Sequence, residues 1–130
     1  MLSIQKTVKL RQSKFLEGFS DELSVQKENP IPTRLKDARK RAKITQKELG
    51  VRIGMDQSSA SGRMNHYEKG RHTPDIHTLQ RMADELDVPL NYFFCETEVT
   101  AELACLIAKL SDDDKKVLID DLKSKHKGKT

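Results

Sequence analysis

Residues 45–70 read TQKELGVRIGMDQSSASGRMNHYEKG, and their spacing predicts a short helix, a turn and a second helix. Thr45 can cap the amides of the next turn, with Glu48 three residues on to complete a capping box. Leu49 and Ile53 then share one face. Gly54 ends that helix, because glycine takes the left-handed conformation of a C-terminal cap, and Asp56 or Ser58 can cap the second. Ala60, Met64 and Tyr67 fall at i, i+4 and i+7, an inward stripe. The opposite face carries Ser58, Gly62, Asn65 and Lys69, flanked by Ser61 and His66. These are short hydrogen-bonding groups and a cation, with no acid among them.

Such a face suits duplex DNA, whose base edges are read by donors and acceptors at fixed positions and whose phosphates repel carboxylates. For the stripe alone a solvated helix face is the commoner explanation, so its surroundings decide. From Arg34 to Arg71 eleven Lys or Arg stand against four acids, a balance of +7. From Asp75 to Asp121 four bases face twelve acids, a balance of −8. Basic charge therefore coincides with the two-helix stretch, as a phosphate-binding surface requires.

The 130 residues, of which 35% are hydrophobic and 34% charged, suffice for one small helical domain with appended structure. There is no apolar run near the roughly 20 residues of a membrane span and no apolar block of a signal peptide, so a cytoplasmic location is expected. Cys95 and Cys105 lack CxxC spacing, and with four scattered histidines they form no zinc pattern; core packing is their expected use.

Residues 1–32 read as an N-terminal arm. Leu2, Ile4, Val8 and Leu10 alternate as on a half-buried strand, whereas Phe15, Phe19 and Leu23 recur at helical spacing. A lone strand would pair with a second copy, lay Lys6, Lys9, Arg11 and Lys14 along DNA, or remain a mobile tail. Pro30-Ile31-Pro32 is expected to forbid a helix and mark a boundary. Thr33 is then expected to cap a helix to about Lys43, with Leu35, Ala38 and Ala42 inward and Lys36, Lys40, Arg41 and Lys43 outward.

Asp75 caps a further helix with Ile76, Leu79, Met82, Ala83 and Leu86 inward. Pro89 opens a short helix whose Leu90, Tyr92, Phe93 and Phe94 are expected to close the core. Beyond it, Thr97 or Thr100 begins a helix bearing Leu103, Leu106, Ile107 and Leu110. Ser111 and the acids Asp112, Asp113 and Asp114 begin another through Val117, Leu118, Ile119 and Leu122. Together 95–130 read as a helical hairpin that would either fold back on the domain or meet its twin, dimerisation being the leading expectation, followed by a disordered tail, Lys123 to Lys129.

Positions 34–94 resemble the Cro/repressor-type, or xenobiotic-response-element, helix-turn-helix family. The resemblance rests on RLKDARKRAKITQKELGVRIG and NHYEKGRHTPDIHTLQRMADELDVPL, with Gln46, Leu49, Ile53-Gly54, Glu68-x-Gly70, Pro74, Leu79 and Ala83 in order. It implies an all-α chain with a five-helix DNA-binding domain over 33–94, acting as a homodimer on a palindromic operator. Gln46 resembles the family's phosphate-touching glutamine, Arg39 and Glu68 its internal salt bridge, and Lys69 and Arg71 positions that flank phosphates. The chain departs from the family by about four extra residues between Gly54 and Gly70, one helical turn. The second helix therefore begins either early, at Gln57, or after a longer turn, near Ser59.

The leading expectation is a sequence-specific transcriptional regulator of double-stranded DNA, a repressor, without cofactor or metal. Thr45, Gln46, Lys47, Lys69 and Arg71 would hold phosphates. Gln57, Ser58, Ser61, Gly62, Arg63, Asn65 and His66 would face the groove, Gly62 through its backbone or else as a tight packing point. The alternative is a protein-interaction adaptor or antitoxin on the same fold, with the acidic hairpin as its contact surface. No Ser-His-Asp order, phosphate loop or ligand cluster suggests an enzyme.

Overall fold

The computed structural model describes residues 28–127. Among them there are six α-helices, one 3-10 helix and no strand: α1 (Ile31–Arg41), α2 (Gln46–Arg52), α3 (Ala60–Glu68), α4 (Ile76–Leu86), η1 (Leu90–Phe94), α5 (Glu98–Ala108) and α6 (Asp112–Lys127). The strand-like and helical readings between Leu2 and Leu23 lie outside the described residues.

Side-chain caps set several starts. Thr45 Oγ1 accepts the Glu48 amide at 3.0 Å, Asp75 Oδ1 that of Thr78 at 2.7 Å, Thr97 Oγ1 that of Thr100 at 3.2 Å, and Ser111 Oγ that of Asp114 at 3.1 Å. The start of α1 differs from expectation. Its first residues are Ile31 and Pro32, with Pro30 at the cap position, so the two prolines begin the helix instead of forbidding it. The reason is that the first turn has no use for amide donors inward of it, and proline's fixed φ already suits a helix. Thr33 lies inside α1, and Asn29 Oδ1 accepts the Ile31 amide at 3.1 Å.

Helices α1 to α4 and η1 enclose one core. Leu35, Leu49, Ala60, Met64, Met82, Tyr92 and Phe93 have at most 0% exposure, and Ala38, Leu79, Ala83 and Leu86 are buried beside them. Three expected core residues face solvent instead: Ala42, at the C-cap of α1, Ile76, in the first turn of α4, and Phe94, at the end of η1. Each sits at a helix end, where a periodicity argument has no neighbouring turn to confirm it. Cys95 is buried, Cys105 is half-buried, and both are free thiols. Burial pushes the thiol of Cys95 and the hydroxyl of Tyr92 up from their ordinary values.

Within the helix-turn-helix, α2 and α3 approach closely at Gly50. A Cβ on Gly50 would lie 2.8 Å from Ala60 Cβ, so glycine there lets α2 cross the start of α3. Gly54 has φ 98° and closes α2 in the conformation glycine favours.

The last two helices pack differently. α5 turns its small residues to the core: Ala101 is buried, and Ala104 and Cys105 are half-buried against it. Its leucines point away, with Leu103 52% and Leu106 56% exposed. α6 buries no residue and continues as helix to Lys127, through the segment expected to be a disordered tail. No helix among the described residues is long and apolar enough to cross a membrane.

Candidate nucleic-acid interface

The turn between α2 and α3 is long, and α3 begins at Ala60, the later of the two starts left open by the extra residues. Neither expected cap operates through its side chain. The backbone carbonyl of Asp56 accepts the amides of Ser59 and Ala60 at 3.1 and 2.9 Å, while its carboxylate accepts the Ser58 hydroxyl at 2.9 Å. The residue at the cap position is Ser59, without a side-chain capping bond. Gln57 and Ser58 therefore belong to the exposed turn ahead of α3 and not to its outer face.

Along α3, Ala60, Met64 and Glu68 are buried. At 100° per residue, Gly62 and His66 then point most directly outward, with Lys69 beside them, Asn65 and Arg63 at the margins and Ser61 nearer the buried side. A Cβ on Gly62 would meet nothing within 4 Å, so tight packing does not account for this glycine. Ser61, Gly62, Arg63 and Lys69 are exposed, as are Arg71 just after the helix and Thr45 and Lys47 at the start of α2.

A polar network beneath this face fixes α3 against α1 and α2. Arg39 grips Glu68 with two bonds, Nε to Oε2 at 2.6 Å and Nη2 to Oε1 at 3.0 Å, and donates a third to the Ile44 carbonyl at 3.0 Å. The side chains of this pair are 12% and 3% exposed, so the two charges stabilise each other largely away from water. Hydrogen bonding to Glu68 raises the Arg39 pKa further, keeping it a cation. Gln46 reaches across from α2, its Nε2 donating to Glu68 Oε1 at 3.2 Å and to Asn65 Oδ1 at 3.3 Å. Gln46 and Asn65 are thus tied to each other, and the side-chain carbonyl of Asn65 is engaged within the protein.

His66, like Asn65, is half-buried, whereas Ser61, Gly62, Arg63 and Lys69 are exposed. The His66 ring meets that of His72 edge-on with centroids 5.2 Å apart, and its Nδ1 is buried without a hydrogen-bond partner. The two rings share a shallow groove with Arg63, Tyr67 and Thr73.

Nine of the eleven bases between Arg34 and Arg71 are exposed. Arg39 is committed to Glu68, and Arg34, 4% exposed, lies in the core with Nε and Nη1 unpartnered. The burial of Arg34 leaves no signal in the sequence, where it reads as one more surface cation. Asn65's bond to Gln46 and the approach at Gly50 are equally silent there, since both depend on how α2 crosses α3. No group of three or more His, Cys, Asp or Glu among the described residues could hold a metal ion.

A helix-turn-helix family model matches residues 35–93, the span from α1 to η1. Among solved structures, the crystal structure of the transcriptional regulator BswR is similar at 42% identity and a TM-score of 0.65, covering 72% of this chain and 93% of that one. No curated protein sequence matches the chain. The similarity to BswR extends over nearly the whole of that protein, and the matched domain contains the polar network just described. The chain belongs to the Cro/C1-type helix-turn-helix family of DNA-binding transcriptional regulators.

Proposed function

We propose that the protein represses transcription by laying α3 into the major groove of an operator, as a twofold dimer. The observation that carries this reading is the outer face of α3. It carries a glycine with open space above it, is bordered by Arg63, Lys69 and Arg71, and the acid within α3, Glu68, is turned inward and neutralised by Arg39. Backbone and short side chains at such a face can approach base edges closely, and the bases around it release counterions from phosphates.

The division of labour follows from position. Thr45, Lys47, Lys69 and Arg71 hold phosphates, and Gln46 steadies α3 through Asn65 while reaching the backbone. Ser61, Gly62, Arg63 and His66 face the groove, with Gln57 and Ser58 contributing from the turn. Repression follows if the operator overlaps a promoter, because a bound dimer then occupies the polymerase's path. The similarity to the transcriptional regulator BswR supports regulation of transcription and no particular sign of it.

Binding of a labelled duplex pool, measured over a salt series, tests the reading. The expected result is a steep fall in affinity with ionic strength, with log affinity linear in log salt. Affinity indifferent to salt would refute it. The exposed leucines of α5 favour a second reading, an adaptor or antitoxin that binds another protein. Stoichiometric recovery of such a protein, with no bound DNA, would favour that reading instead.

A further inference from the structure

The apolar residues the fold leaves uncovered are concentrated at one end. Of the ten large hydrophobic residues that are exposed among the described residues, eight lie at or beyond Phe94. On α5, Val99, Leu103 and Leu106 follow at i, i+4 and i+7 and are 76%, 52% and 56% exposed, and Leu110, in the link just past the helix, is 36% exposed. This is a straight seam on the side opposite Ala101 and Ala104. Beside it runs a groove lined by Phe94, Cys95, Leu103, Ala104 and Ile107.

α6 has the complementary problem. None of its 16 residues is fully buried: in its apolar stripe Leu118 is half-buried, and Ile119 and Leu122 are 48% and 55% exposed. A helix of that length without tertiary packing is marginal in water. The chain thus holds an uncovered seam and a helix without a bed. The short link through Lys109 and Leu110 does not fold one onto the other.

We infer that the α5 seam is covered by α6 of a second copy running antiparallel to it, so that two chains exchange their last helices. Charge sets the direction. Glu98 and Glu102 stand at the N-terminal end of α5 and Lys109 at its C-terminal end, while α6 begins with Asp112, Asp113 and Asp114 and ends with Lys123 and Lys125. Antiparallel packing brings those lysines to Glu98 and Glu102 and those aspartates to Lys109. Parallel packing would set acids against acids at one end and bases against bases at the other. At 1.5 Å per residue α6 is about 24 Å long, enough to cover the seam from Val99 to Leu110. The exchange is isologous, each copy giving a helix and receiving one. It supplies the dimer on which the twofold operator reading rests.

The test is the mass of the full chain in solution at micromolar concentration, without DNA. The native chain is expected at twice its monomer mass. Leu106→Glu, at a position exposed in the single chain, should halve that mass while the helix-turn-helix core stays folded, any loss of helical circular dichroism being no more than α6 contributes. Glu98→Lys with Glu102→Lys should weaken association, and adding Lys123→Glu with Lys125→Glu to the same chain should restore it. A monomeric native chain, a Leu106→Glu variant that stays dimeric, or a charge exchange that fails to restore the dimer would each overturn the inference. A monomer that still bound DNA would sink the exchange and leave DNA recognition standing, whereas a dimer that bound none would do the reverse.

Discussion

The helix-turn-helix bundle and the two helices that follow it are built from similar sequence periodicities and end in opposite states. In the bundle, apolar residues at helical spacing meet others: Leu35, Leu49, Met64 and Met82 are fully buried, and the polar groups beneath α3 are tied by Arg39, Glu68 and Gln46. In α5 and α6 the same spacing yields seams that the single chain leaves exposed. Amphipathicity states that a helix has a face to hide. Only the fold states whether the chain hides that face itself.

The largest effect should come from the ion pair that separates the two regions most clearly. Glu68→Ala strands the Arg39 guanidinium under α3 and should cost roughly 3–5 kcal/mol in denaturant unfolding. Glu68→Gln, which keeps some hydrogen bonding, should cost less. A loss below about 1 kcal/mol for Glu68→Ala would place the pair among ordinary surface bridges.

Next come apolar truncations, which should behave differently in the two regions. Leu35→Ala removes a fully buried side chain and should cost about 2–5 kcal/mol at every protein concentration. The cost of Leu106→Ala should instead vary with concentration, because the contact it weakens lies between chains. Equal, concentration-independent losses would mean that α5 is packed within one chain.

A smaller and more selective effect is expected on the DNA face. Arg63→Ala should weaken binding to a preferred site by about 1–3 kcal/mol if it reads a base, and Lys47→Ala should weaken all duplexes alike and lower the salt slope by about 1. Neither should move the unfolding midpoint, since both side chains are exposed.

The smallest effect belongs to a helix cap. The hydrogen bond from the Thr78 amide holds the Asp75 carboxyl below its ordinary value of 3.8. A carboxyl whose folded pKa is depressed adds stability above the unfolded value and loses it as pH falls through the folded one. Asp75→Ala should therefore lower the melting temperature slightly near neutral pH, and the gap from the native protein should close in acid. A gap that persisted unchanged at low pH would show that the cap does not depend on the ionised form.

The sequence made local features plain. The caps at Thr45, Asp75, Thr97 and Ser111 involve residues three apart, so the order of helices was legible without tertiary information. Pro30 and Pro32 were misread because proline forbids a helix interior and suits a first turn, and the pattern alone did not say which applied. The start of α3 was open because Asp56, Ser58 and Ser59 are all acceptable caps; the outcome depends on a backbone carbonyl, that of Asp56. Arg34 in the core, the bond from Gln46 to Asn65 and the clearance at Gly50 need the crossing of three helices to be seen. The outward turn of the α5 leucines was hidden for a related reason: the core accepted alanines there instead.

The central claim is that α3 reads duplex DNA, and selection of bound duplexes from a random pool by the full chain tests it most directly. The account predicts enrichment of one sequence with twofold symmetry, its half-sites about 34 Å apart, one turn of DNA, and loss of that enrichment in Arg63→Ala. A pool that emerged unenriched, from a chain shown to be folded, would contradict it.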